Sequence, residues 1–237
     1  MAPPVTAADP ARRRYELLAP VYDWASAERP LYARARAEAA ELLRLRPGAR
    51  VLDIACGTGR NFPLIEREIG PSGRLVAVDR SPRMLRRARA RVAGQGWDNI
   101  TVLERDVTSL SPAHFEELGL LARGARFDAV LCTLGLSVIP DWQGTLRMMA
   151  GMVRPGGRLA VMDGCYPARA GGADELVALR PLAWLLCRMF AADCRREPWE
   201  LVRAGTDDAA VKHYSLGYVA VGAGTPRHDG HLAQPSP

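Results

Sequence analysis

Long apolar runs are missing from these 237 residues. Nowhere do about 18 apolar residues follow one another, which argues against a helical membrane span. Met1–Pro10 carries no apolar core of signal-peptide length, so a flexible leader is expected there. The five cysteines, at 56, 132, 165, 187 and 194, form no paired framework, and neither they nor the four histidines have metal-finger spacing. No metal site is therefore expected. Most of the cysteines are expected to pack in a core, in a reducing cytoplasm. Aromatic residues are only 6% of the chain and form no stripe interleaved with basic residues, which argues against a nucleic-acid partner. The net charge of +6 would suit an anionic partner, but it is mostly arginine interspersed with acids, which weakens that reading. No internal repeat is visible.

What the chain does have is alternation. Apolar runs at Arg50–Ala55, Arg74–Val78, Asn99–Glu104, Ala125–Cys132 and Arg158–Met162 read as strands. Helical stretches at Asn61–Ile69, Pro82–Ala93 and Trp142–Val153 lie between them. Such alternation predicts an α/β fold, a Rossmann-like three-layer αβα sandwich with a mostly parallel sheet. Lys212–Ser215 and Tyr218–Val221 would complete seven strands with an antiparallel end. A helical cap is expected at 11–45, a helical lid insertion at 164–202, a domain end at 221 and a flexible tail at 222–237. The ligand should sit beyond the carboxyl ends of the strands, where Asp53, Asp79, Asp106, Thr133 and Asp163 fall.

The sharpest feature is Asp53-Ile54-Ala55-Cys56-Gly57-Thr58-Gly59, directly after the first strand. Glycine at 57 and 59 allows a tight turn and close approach of a ligand to the backbone. Asp79, closing the second strand, places a carboxylate where a ribose diol would lie. These features alone also permit an NAD-dependent dehydrogenase. However, the full G-x-G-x-x-G pattern is absent, and Asp53 would serve a pyrophosphate poorly. A ligand carrying ammonium and sulfonium charges fits that carboxylate better.

The run Val51–Asn61 resembles the first motif of class I S-adenosylmethionine-dependent methyltransferases. The resemblance continues through Val78–Leu85, Glu104–Val107, Phe127–Val130 and Val153–Arg158, and spans roughly residues 15 to 221. It implies S-adenosylmethionine as cofactor, leaving as S-adenosylhomocysteine. Asp53 and Gly57 would lie beside the methionine portion, with Gly59 supporting the turn and Ala55, Cys56 and Asn61 in the same site. Asp79 would accept from both ribose hydroxyls. Arg80 and Met84 would flank the adenine, although Met84 also reads as core and Arg80 as solvent-facing. Asp106 would receive the adenine amino group beside Val107. Cys132, Thr133 and Leu134 would touch the cofactor or frame the methyl channel.

For the acceptor, three segments stand out: Tyr15–Trp24, Thr133–Trp142, and Asp163–Pro167 with the insertion Leu176–Trp199. The first is similar to the Tyr-Asp opening of quinone- and phospholipid-methylating relatives. Tyr22 in it would bond the cofactor or meet a substrate cation, or else serve as a core tyrosine. The basic, apolar insertion reads as a substrate lid, an interfacial helix or a dimer face, so monomer and homodimer both remain open. Arg12-Arg13-Arg14 could likewise touch an anionic membrane. Candidate catalytic groups are Tyr22, Asp163, as an acid-base or amine-orienting group, and His213, which with Tyr214 reads as a base or orienting pair for a phenol or enol carbon or else as structural. Taken together, the segments are similar to bacterial phosphatidylethanolamine N-methyltransferases and ubiquinone-type enzymes. The expected reaction is therefore methylation of an amine-bearing lipid or small metabolite. The alternatives are O- or C-methylation of a quinone-like or natural-product intermediate, and a non-catalytic cofactor- or RNA-binding protein.

Overall fold

The computed structural model describes residues 31–165 and 192–227. Its strands follow the apolar runs: β1 (Arg50–Ile54), β2 (Arg74–Asp79), β3 (Ile100–Glu104), β4 (Phe127–Thr133), β5 (Val153–Gly164), β6 (Ala210–Tyr214) and β7 (Val219–Gly224). They form one seven-stranded sheet in the order β3-β2-β1-β4-β5-β7-β6. Strands β1 to β5 are parallel, and β7 runs antiparallel between β5 and β6. The architecture is the expected Rossmann-like α/β sandwich.

The helices among the described residues are α1 (Ala33–Leu42), α2 (Phe62–Ile69), α3 (Pro82–Gln95), α4 (Pro112–Glu117), α5 (Trp142–Met152) and α6 (Pro198–Gly205). Ile65 and Ile69 of α2 join Leu85 and Ala88 of α3 on one sheet face, where Val51 also points. Phe115 of α4, Leu146 and Met149 of α5, and Trp199 and Val202 of α6 pack with Leu52 and Ile54 on the other. A parallel sheet covered on both faces needs apolar residues in both registers, which is why its strands read as unbroken apolar runs. Helix boundaries follow local chemistry. The Ser81 side chain accepts from the Met84 amide at the start of α3, and Gly96, at φ 68°, ends it.

Several expected boundaries move. Strand β5 begins at Val153, paired with Phe127, so Pro155-Gly156-Gly157 lies inside an irregular ladder rather than in a loop before Arg158. The last strand continues beyond 221 to Gly224. Its glycines are there for packing: a Cβ on Gly222 would come within 2.7 Å of the Trp199 Cβ. The end of the expected lid, 198–202, belongs to α6, which covers the sheet with Trp199 only 2% exposed. Cysteine pairing also departs from expectation. Cys56, Cys132 and Cys165 are free and buried, but Cys194 is disulfide-bonded. The leader 1–10, the cap residues 11–30 with Tyr22, the insertion residues 166–191 with Cys187, and the tail 228–237 lie outside the described residues. Among the described residues, no helix is long and apolar enough to cross a membrane.

Candidate active site

The site forms where β1 and β4 lie side by side and the strand order reverses, so their carboxyl ends diverge into a crevice. Ala55, Gly57 and Gly59 take φ values of 55°, 56° and 76°, a left-handed path that folds the chain back on itself. The two glycines serve different ends. A Cβ at Gly57 would meet nothing within 4 Å, because that position faces the crevice. A Cβ at Gly59 would strike the Phe62 ring at 2.5 Å, so this glycine is required by the packing of α2. The turn is tied to β2 through Asp79. Its carboxylate accepts from the Gly57 amide at 2.9 Å and from the Ser81 amide at 2.8 Å. Burial raises the Asp79 pKa, partly offset by these amides.

The crevice is open on one side and lies at the carboxyl ends of the strands, where such sheets bind ligands. Of the residues expected to bind cofactor, Ala55, Cys56, Gly57, Asp79, Arg80, Met84, Val107, Thr133 and Leu134 line it. Others stand behind it. Cys132 is buried with its sulfur where a Cβ on Gly135 would fall, 2.6 Å away. Asp106 accepts from the Thr108 amide and hydroxyl at 2.9 and 2.7 Å, and so caps the 3-10 turn Val107–Ser109 instead of lining the crevice. Tyr22 lies outside the described residues.

Beneath the turn runs a buried polar network. The Asn61 side-chain amide donates to both Asp53 oxygens, at 2.9 and 3.0 Å. The Arg36 guanidinium donates to the Asn61 oxygen at 2.8 Å and to the Thr133 hydroxyl at 2.7 Å. Burial pushes the Asp53 carboxyl up to about 7, although the Asn61 bond and the Arg36 charge oppose it. Asp53 and Asn61 therefore support the wall through Thr133 and Arg36, which both line the crevice. Arg36 has no counterpart among the expected site residues. Its helix is rich in alanine and arginine, and the available signal was that Arg36 shares a face with buried Ala39 and Ala40.

One side of the crevice is lined by Leu134, Gly135, Val138 and Ile139. Gly135 must lack a side chain, since a Cβ there would lie 2.8 Å from the Ala55 Cβ. Asp163 stands behind this segment, 2% exposed, accepting from the Ser137 and Gly164 amides at 2.8 Å each. Burial raises its pKa. His213 is exposed on edge strand β6, against Trp199 with ring centroids 6.1 Å apart, and does not line the crevice.

Comparison with known proteins gives the same picture. The family model described as "Methyltransferase domain" matches residues 45–205. A demethylmenaquinone methyltransferase of Listeria monocytogenes is 30% identical over 188 residues, covering 78% of this chain and 75% of the relative. A demethylmenaquinone methyltransferase of Bacillus cytotoxicus is 24% identical over 206 residues, covering 80% of this chain and 83% of the relative. Among solved structures, a SAM-dependent methyltransferase from Aquifex aeolicus superposes with a TM-score of 0.55 at 16% identity, covering 88% of this chain and 96% of that one, and so shares the fold. With the glycine turn, the strand-ending carboxylate and the sheet order already in hand, the chain belongs to the methyltransferase-domain family and is a class I S-adenosylmethionine-dependent methyltransferase.

Proposed function

We propose that the enzyme transfers a methyl group to a ring carbon or ring oxygen of a quinone-like acceptor. The observation that carries this reading is the chemistry of the crevice lining. Leu134, Val138, Ile139, Met84 and Val107 are apolar, Arg36, Arg60 and Arg80 are cationic, and Asp79 is the one carboxylate among the described lining residues. An ammonium acceptor would find no carboxylate of its own among the described lining residues once Asp79 holds a ribose. Asp163, expected as an acid-base or amine-orienting group, is 2% exposed behind the wall and does not line the crevice. The similarity to enzymes that methylate demethylmenaquinone supports the same choice over phosphatidylethanolamine.

S-adenosylmethionine, when bound, would supply an electrophilic methyl group and keep the bonding pair on its sulfur, and the methylated acceptor would release its hydroxyl or ring proton to water. Asp79, held by the Gly57 and Ser81 amides, keeps lone pairs for the ribose hydroxyls. Met84 and Val107 offer apolar surface to the adenine, and Arg36 offers positive charge to the carboxylate of the methionine portion. The described lining contains no histidine, so its contribution is alignment and exclusion of water.

The test is radiolabelled methyl transfer from S-adenosylmethionine to a reduced short-chain naphthoquinone lacking the ring methyl, run beside phosphatidylethanolamine vesicles. Label is expected in the naphthoquinol. Label in the phospholipid alone would overturn the proposal.

A further inference from the structure

The segment Leu134–Ile139 supplies the apolar acceptor wall, yet it is not a helix or strand and cannot hold itself. It leaves β4 through Leu134 at φ 59°, whose amide donates to the Met162 carbonyl at 2.7 Å. Gly135 then presses against the cofactor turn, and the Val138 and Ile139 amides both donate to the Gly135 carbonyl at 3.1 Å. That leaves the carbonyls of Leu136, Ser137 and Ile139 to be satisfied from elsewhere. Buried carbonyls without donors would favour another path for the chain.

All three find their donors in one short stretch far along the sequence. The Arg196 guanidinium donates through a single nitrogen to the Leu136 carbonyl at 2.8 Å and the Ile139 carbonyl at 2.6 Å. The Asp193 amide donates to the Ser137 carbonyl at 2.9 Å. The Asp193 carboxylate in turn lies 3.7 Å from Arg196 and helps to fix it. From the opposite side, Asp163 takes the Ser137 amide. The stretch itself is anchored, because Cys194 is 4% exposed among Tyr32, Met162 and Tyr218. Arg196 also places its charge where it favours the ionised form of buried Asp163.

We propose that Arg196 is a positioning residue for the acceptor. By clamping the Leu136 and Ile139 carbonyls, it sets where Leu134, Val138 and Ile139 stand and so sets acceptor affinity, without touching cofactor or acceptor. This rests on the reading of Leu134–Ile139 as the acceptor wall. The cofactor half should be indifferent to Arg196, since Asp79 and the glycine turn have their own hydrogen bonds.

The experiment compares wild type, Arg196→Ala and Arg196→Lys as full-length protein saturated with S-adenosylmethionine. Hydrogen–deuterium exchange is read on peptides covering 134–141 and 53–62. The clamp predicts at least about tenfold faster exchange in the first peptide of Arg196→Ala, no change in the second, and an intermediate value for lysine, whose one nitrogen must serve both the carbonyls and Asp193. With the naphthoquinol, Arg196→Ala should raise the acceptor KM about tenfold while kcat and the cofactor Kd stay within about twofold. Unchanged exchange at 134–141 overturns the clamp, as does equal loosening of both peptides, which would mark a purely structural role. Faster exchange at 134–141 with an unchanged acceptor KM retains the clamp but refutes the acceptor wall. Should Arg196→Ala fail to fold, Arg196→Lys carries the same comparison on its own.

Discussion

The two halves of the crevice are built on opposite plans. The side read as the cofactor's is the turn Ala55–Gly59 tied to Asp79 through backbone amides, with the Arg36–Asn61–Thr133 network beneath it. The side proposed for the acceptor is a short irregular segment whose backbone groups are held by two side chains, Asp163 and Arg196. Backbone-held geometry tolerates changes of side chain around it, whereas a wall held by buried Asp163 and half-buried Arg196 can be re-aimed by one substitution.

Substitutions can sharpen or break this contrast. The largest effect is expected from Asp79→Ala, which removes the proposed acceptor for two ribose hydroxyls. Titration calorimetry should show S-adenosylmethionine binding weakened about 100-fold, by about 3 kcal/mol, with a smaller loss of about 1 kcal/mol in the stability of the cofactor-free enzyme as the Gly57 and Ser81 amides lose their acceptor. Equal loss of fold stability would mean that Asp79 serves the turn more than the ligand.

Gly135→Ala attacks the seam between the halves. The new methyl would meet the Cys132 sulfur at 2.6 Å and the Ala55 Cβ at 2.8 Å. A cost of about 1–3 kcal/mol is expected by thermal or urea melts, with activity lost on both substrates. A variant of undiminished stability would show that the wall moves freely against the turn.

A smaller effect is expected from pH. Asp53, at about 7, binds a proton in the folded enzyme at a pH where the unfolded chain has released it. Its stabilising contribution is therefore full below the ordinary value of 3.8 and is lost as pH rises through about 7. The cofactor-free enzyme should melt lower at pH 8 than at pH 6, while affinity for the cationic cofactor rises, by at most about tenfold. Asp53→Asn should flatten the affinity profile. A profile that keeps its slope in that variant would assign the titration to another group.

The smallest effect concerns Ala55, an L-residue held at φ 55°. Ala55→Gly relieves roughly 1 kcal/mol of left-handed strain, offset by glycine's entropy cost of about 0.5–1 kcal/mol. Melts should move by less than about 1 kcal/mol, and a larger loss would show that the Ala55 methyl is needed to buttress Gly135.

How the sequence could be read follows the same division. Apolar runs, glycines and strand-ending carboxylates gave the sheet, the turn and Asp79, because each of these signals acts over a few residues. The tail was misjudged at Gly222 because glycine in a strand under Trp199 looks, in one dimension, like glycine in a loose end. Arg36 and Arg196 were hidden among many arginines whose pattern does not distinguish a buried guanidinium from a solvated one.

The sequence by itself therefore determined the fold class, the cofactor turn and the enzyme family, since periodicity and turn chemistry are local. Only the tertiary structure decided which buried polar groups meet. Arg36 reaches Thr133 across 97 residues of chain and Arg196 reaches Leu136 across 60. Such pairings are set by how the layers pack, because a buried charge must find its partners wherever the fold brings them.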